Sequence, residues 1–568
     1  MSVDRLSQLN RLPTAKAGAK SAAAVRWYRA PILLLCTILL SGCTTFREYV
    51  HNGFKVGPNY GRAPAPVATD WIDSTDVRLR PETPDLAHWW TVFNDPILNT
   101  LVAEAYSQNL TLREAGFRVL QARATLAIAQ GMLFPQQQDA FGGYSRNAIS
   151  QSVANSSFIP TKFFDQYDAG FNLAWEIDFW GRFRRAIESA EADLDASVEN
   201  YDDVIVTLVG DVATTYVQMR TLSQQLAYTQ ENVVLQQQTL DIANARFKGG
   251  TTSELDVDQS VSTLAQTQAQ IPQLRIRIRQ ATNRLCILLG MPPEDLLPLL
   301  GNQPIPVAPS DAIVGIPAEM LLRRPDVRRA ERIAASQCAQ IGVAVSQLYP
   351  HIGVTGTIGV ASEQFNTLFQ SQSLVGSVGP SFQWNVLNYG RLINNIRLQD
   401  ARFQELVVRY QQQVLLAGEE AENAMVSFLQ SQEQAQYLNT SVVAAEKAVR
   451  IAVVQYRAGT TDFNRVALVQ QNLVQQQDQL AQSRGNISLG LIQVYRALGG
   501  GWQLRLSPLP PVMDVANLPA DQLPPNAIAP PANNGGQPVP IAPNTIAQPT
   551  EPESIPTPPP QPPVRSSQ

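Results

Sequence analysis

The chain has 568 residues and a formal net charge of −5, a balance that argues against nucleic-acid binding. Three His and four Cys are too few and too scattered for a metal cluster, and no cofactor is expected. Charged residues are only 16%, and Gln, Ala, Ser and Thr fill the gap, which suits long faces wetted without strong fields.

Arg26 and Arg29 precede the apolar run from Pro31 to Leu40, too short to span a bilayer but of signal-sequence length. The run ends in Leu40-Ser41-Gly42-Cys43, which resembles a bacterial lipobox. Residues 1–42 are then a removable leader, and Cys43 carries a diacylglycerol that tethers the chain to a leaflet without spanning it. An ordinary leader with an incidental Cys is the plainer reading, but small residues directly before the Cys favour lipidation. Thr44, where Asp would favour the inner membrane, points to the outer membrane. Cys286 and Cys338 read as isolated buried thiols, with a disulfide between them as the minor alternative.

Residues 43–108 hold a Pro- and Gly-rich strap and, after Trp89-Trp90, a first helix at 97–108. Beyond them the chain is one unit written twice. Gly250 and Gly459 lie 209 positions apart, and that offset also aligns Trp175 with Trp384, Gly181-Arg182 with Gly390-Arg391, and Leu289-Gly290 with Leu498-Gly499. The first copy spans 109–290 and the second 325–498. An offset of 215 aligns the helices 110–134 and 325–349, so six extra residues of the first copy fall in a loop between.

The period changes next. In Phe171 to Phe179 the odd positions are apolar and the even ones polar or small, a strand with one greasy and one wet face. Phe382, Trp384 and Val386 repeat this, with Ile352, Val354, Ile358 and Val360 on a partner strand. Each copy therefore contributes one β-hairpin. A soluble sheet on a helix is the plainer reading, but ten-residue strands with Trp and Phe on one face, behind a lipoprotein leader, match membrane strands. Glu176 and Asp178 then face a lumen. Four strands cannot close a barrel, and open edges are not tolerated in lipid, so chains must pool their hairpins; three copies would give twelve strands.

Two helical stretches of 66 positions follow, 182–247 and 391–456, each roughly 99 Å long. Leu194, Val198, Tyr201, Ile205, Leu208 and Val212 mark a coiled-coil seam. The turns Gly249-Gly250-Thr251-Thr252 and Gly459-Thr460-Thr461 lead into return helices 253–289 and 462–498. A 37-position return helix and a 25-position preceding helix stacked end to end match one long helix, so two such units per chain build a tall helical cylinder. The segments 85–108, 291–324 and 499–515 gather as an equatorial belt. The tail 516–568, rich in Pro, reads as disordered.

Together these features resemble the TolC-like outer-membrane efflux channels, specifically the lipoprotein branch serving RND-type pumps. The matching residues are Leu40-Ser41-Gly42-Cys43, Val56-Gly57-Pro58-Asn59-Tyr60, Trp89-Trp90 through Asp95-Pro96, Arg323-Arg324-Pro325-Asp326 and Tyr349-Pro350. The resemblance implies a mainly α protein with membrane β-strands: a homotrimer with a twelve-stranded barrel, an α-helical periplasmic tunnel and a mixed equatorial domain. It implies passive export of small molecules handed on by an inner-membrane pump and a periplasmic adaptor. Gly250, Thr251, Gly459 and Thr460 would form the adaptor-docking tip. Tyr456 matches the family's tip tyrosine and Asp256 its acidic partner, with Asp258 nearby. Arg465 stands where the family often has an acid; its pairing with Asp256 is expected to latch the closed tip, the plainer reading being that both are solvated first-turn helix residues.

His51, His88 and His351 are isolated, and Lys248 to Thr252 follows a helix rather than a strand, so neither catalysis nor phosphate binding is indicated. A duct for type I protein secretion and a structural coiled-coil surface lipoprotein are the competing readings.

Overall fold

The computed structural model describes residues 46–82, 86–150, 152 and 162–506. Cys43, the expected leader and the Pro-rich tail lie outside the described residues.

In chain order, helix α1 (Phe46–His51) leads to the short strand β1 (Leu79–Arg80) and a 3-10 turn at Trp89–Phe93. Helices α2 (Pro96–Gln108) and α3 (Leu110–Gly131) precede the hairpin β2 (Gln137–Ala148) and β3 (Phe163–Glu176). Helix α4 (Arg182–Lys248) runs for 67 residues and returns as α5 (Glu254–Leu288). A connector carries α6 (Leu297–Leu300), β4 (Ala312–Ile313) and α7 (Pro317–Arg323). The second copy is α8 (Pro325–Ser346), β5 (His351–Ser362), β6 (Leu374–Gln383), the 68-residue α9 (Arg391–Ala458) and α10 (Phe463–Ala497). At ~1.5 Å per residue, α4 and α9 each span roughly 100 Å.

The duplication is visible in single hydrogen bonds. Trp175 Nε1 donates to the Leu133 carbonyl at 3.1 Å, and Trp384 Nε1 donates to the Leu348 carbonyl at 3.0 Å. The donors are 209 positions apart and the acceptors 215, so the extra residues of the first copy sit between two fixed points. Gly181 and Gly390, both at φ +79°, start the long helices in a conformation that favours glycine.

The short helices stack end to end. Buried Asn109 caps α3 by accepting from the Leu112 amide, and its Nδ2 donates to the Leu288 carbonyl, the last of α5 (both 2.8 Å). In the second copy, Arg324 Nη1 reaches the Ala497 carbonyl at the end of α10 at 2.7 Å. Pro272 sits inside α5, which continues through it. Helix neighbours run α3–α4–α8–α9 near the sheet and α5–α4–α10–α9 towards the turns. These helices thus form a layer with stacked α3 and α5 on one edge and α9 on the other.

The core lies where the short helices meet. Trp89 and Trp90 are fully buried; Trp89 stacks on Tyr495, and Asp95 caps α2 while accepting from the Tyr216 hydroxyl at 2.8 Å. Buried Arg324 grips Asp326 through two nitrogens and reaches Glu420 at 2.7 Å. Burial pushes the Asp326 carboxyl up, but Arg324 outweighs it and holds the group below its ordinary range. The Val56-Gly57-Pro58-Asn59 segment lies against α4 and α8. Arg185 donates to the Val56 and Gly57 carbonyls at 3.0 and 2.9 Å, and a Cβ on Gly57 (φ +86°) would lie 2.5 Å from Gly342 Cα. From there the strap descends along α9 to the belt, where β1 pairs with β4.

Of the expected seam, Ile205, Leu208 and Val212 are buried, whereas Leu194, Val198 and Tyr201 are half-buried in the single chain. Above them, small residues bring α4 onto α8, with Ser189 Oγ 2.8 Å from Ser336 Oγ.

Candidate functional site

Two places stand out: the sheet at one end of the helices and the paired turns at the other. The sheet is antiparallel in the order β2-β3-β5-β6, with β2 and β6 as its edges. Phe171 pairs with Ile358, Trp175 with Val354 and Ile352 with Phe382, which places an apolar row on one face. Phe171, Ile358 and Phe382 are each at least 60% exposed, so away from its foot, where Trp175 and Ile352 are half-buried, this face is bare among the described residues. Asn172, Thr357, Glu176, His351 and Gln383 lie on the opposite, polar face.

Glu176 ends β3 on that polar face, bound to Arg182 Nη1 at 3.0 Å and His351 Nδ1 at 2.7 Å. Asp178 corrects the strand reading. It lies two residues beyond β3, and its carboxylate accepts from the Phe183 and Arg184 amides and from Arg184 Nε, all at 3.0 Å. With its side chain 8% exposed, it closes the start of α4 instead of facing water. The alternation continues past Glu176 in sequence, but helix initiation takes the carboxylate.

At the far end, both turns use glycine at positive φ, Gly250 at +68° and Gly459 at +78°. Thr251 Oγ1 donates to the Arg246 carbonyl and Thr460 Oγ1 to the Gln455 carbonyl, each at 3.1 Å, another duplicated bond. Gly250, Thr251, Gly459 and Thr460 are all exposed. Tyr456 is 0% exposed, packed with Ala243, Ala452, Phe463 and Val466. Its hydroxyl donates to Asp256 Oδ2 at 3.2 Å, and Thr252 Oγ1 donates to the same oxygen. Arg246 lies over the Tyr456 ring at 4.5 Å and donates to the Tyr456 carbonyl. Burial, then the Asp256 charge, raises the Tyr456 phenol above its ordinary value of 10.0.

The two hairpins of one chain are therefore clipped by Tyr456, Asp256 and Arg246. Arg246 was not singled out by the sequence; its only signal there is a cation one turn before the glycines. The expected Asp256–Arg465 pair is not formed within the chain, because Asp256 is taken by Tyr456 and Thr252. Arg465 and Asp258 are exposed.

A tall helical slab, cinched at its turns and capped by an open-edged sheet with one greasy face, defines one wall of a membrane duct. The profile of the family described as outer membrane efflux protein matches residues 101–291 and 316–500. The pyoverdine export outer membrane protein OpmQ of Pseudomonas putida is 32% identical over 421 residues, 73% of this chain and 88% of its own. The probable outer membrane lipoprotein SilC of Salmonella typhimurium is 26% identical over 486 residues, 84% of this chain and 99% of its own. The solved outer-membrane channel OprN matches with a TM-score of 0.74 at 31% identity, covering 79% of this chain and 99% of that one. The chain belongs to the outer membrane efflux protein family. It is the outer-membrane channel of an efflux system, with the fold of the TolC-like channels, its sheet in the outer membrane and its helical tunnel in the periplasm.

Proposed function

We propose that three copies close their sheets into one twelve-stranded barrel and passively conduct small molecules from periplasm to exterior. Cargo arrives from an RND-type inner-membrane pump through a periplasmic adaptor that docks on Gly250, Thr251, Gly459 and Thr460. The observation that carries this reading is the sheet: Phe171, Ile358 and Phe382 on its greasy face are exposed, and its edges β2 and β6 have no partner strand among the described residues. In lipid such edges must be paired, and a neighbouring copy offers the complementary strand. The slab edges agree, since α9 exposes Val408, Ile451 and Val454 while the α3 and α5 edge exposes Phe117, Ile128 and Leu255. Lipid on Cys43 would enter the membrane beside the barrel, because α1 begins just after it and Tyr49 packs on Phe179 and Trp180 at the foot of the sheet. The family is one of channels, and no catalytic step is assigned to this chain.

Fractionation tests the architecture: an outer-membrane band at trimer mass in unheated gels that collapses on boiling is expected, and a peripheral monomer would refute it. Deleting the gene should sensitise cells to members of a drug, metal and solvent panel. The tip latch predicts that Asp256→Ala raises single-channel conductance and antibiotic leakage, and unchanged values would remove Asp256 from the gate.

A further inference from the structure

Where the sheet meets the tunnel, the two copies differ in charge. In the first, Glu176 binds Arg182 and Asp178 closes the start of α4. The 209-residue offset places Asn385 on Glu176, Leu387 on Asp178 and Arg391 on Arg182. The second copy keeps the arginine and lacks both carboxylates. Among the described residues the Arg391 guanidinium has no ion pair and no hydrogen-bond acceptor, and it is exposed. It borders a cavity of about 150 Å³ that is also lined by Arg182, His351, Gln347, Asn385 and Leu392. The lining is rich in donors: two guanidiniums, two carboxamides and an imidazole. The neighbouring carboxylate, Glu176, is already held by Arg182 and His351. His351 and Glu176 belong to the polar face of the sheet, opposite Trp175 and Phe382, so a ligand reaches this cavity from water rather than from lipid.

We propose that the cavity is a lumenal binding site for anionic groups, the carboxylates or phosphates of solutes in transit. Arg391 is the principal cation, because its fork is unpaired and matches two-oxygen acceptors. Asn385 and Gln347 supply amide donors. The inference rests on the proposed channel, since it takes the polar face as the lumen; symmetry then repeats the site around the passage.

The test uses the purified full-length channel in planar bilayers under a KCl gradient, with inorganic phosphate as the probe. Arg391→Gln, which removes the ring of arginines, and Asn385→Glu, which pairs it with the first copy's carboxylate, should each cost the pore its preference for chloride over potassium. Arg391→Lys should retain the preference. Phosphate should reduce chloride current in the unaltered protein and not in Arg391→Gln. Unheated gels check that each variant still assembles. Conducting channels whose selectivity ignores Arg391→Gln, Asn385→Glu and phosphate would overturn the site. An unaltered protein that forms no channel would overturn the channel reading, and this site with it.

Discussion

The two halves of α4 fill the same seam with opposite chemistry. Around the belt, Ile205, Leu208, Val212, Tyr216 and Met219 are buried among Trp89, Leu285, Ile492 and their neighbours. Further from the membrane, Gln225, Thr229, Asn232, Gln236 and Thr239 take equivalent steps of four and three and are just as buried. Their contacts are individual hydrogen bonds: Gln225 Nε2 to Asp478 Oδ1 at 2.8 Å, Asn232 Nδ2 to Gln477 Oε1 at 2.6 Å, and Gln470 Nε2 to Thr239 Oγ1 at 2.8 Å. Gln236 has no partner for either amide atom among the described residues. An apolar seam resists any displacement in proportion to the area re-wetted, whereas amides and hydroxyls exchange partners at about 1 kcal/mol each. The belt fixes the slab, and the polar half is the part of the duct that separates at least cost.

The contrast can be broken at the belt. Tyr216→Ala removes a fully buried ring and its bond to Asp95, and should cost about 3–5 kcal/mol, read as a sharp fall in the melting temperature of the purified protein. The polar half can be sharpened instead. Gln236→Leu replaces two unpaired buried atoms and should stabilise the tunnel by about 1–3 kcal/mol; a lower melting temperature would mean that the seam is wet. A smaller effect is expected at the clip, where Tyr456→Phe keeps the ring and loses the hydroxyl bond to Asp256, for about 0.5–1.5 kcal/mol.

That clip also carries a pH dependence. The folded Tyr456 phenol titrates above the ordinary value of 10.0, so its contribution is complete below that pH and is lost as pH climbs through the folded value. Alkaline medium should expose the turns to protease in the unaltered protein, and Tyr456→Phe should abolish this titration. Thr251→Ala, at an exposed turn, should shift stability by no more than ~0.5 kcal/mol in the same melting assay.

Much of this was legible in sequence because the chain writes its unit twice. Gly250 against Gly459 and Trp175 against Trp384 located turns, hairpins and long helices without reference to tertiary contacts, and helix lengths alone implied end-to-end stacking. Tyr456 and Asp256 were found through family resemblance; their contact spans 200 positions, and no local pattern encodes it. The Arg324–Glu420 bond and the Arg185 grip on the strap were hidden for the same reason. Asp178 was misread because alternation persists beyond the residue where the strand stops, and only the competing demand of the first α4 amides reveals its role. Within one chain Arg465 does not reach Asp256, because charge complementarity between aligned positions says nothing about which partner is nearer.

The paired indole bonds, Trp175 to Leu133 and Trp384 to Leu348, bear on how the protein can vary. Each nails the foot of a hairpin to the turn that follows the preceding helix, so the register of the wall is settled before the chain turns over at the far end. Insertions there, of the kind already separating the copies, leave the plumbing untouched. A change of length at the far turns therefore need not move the tunnel below.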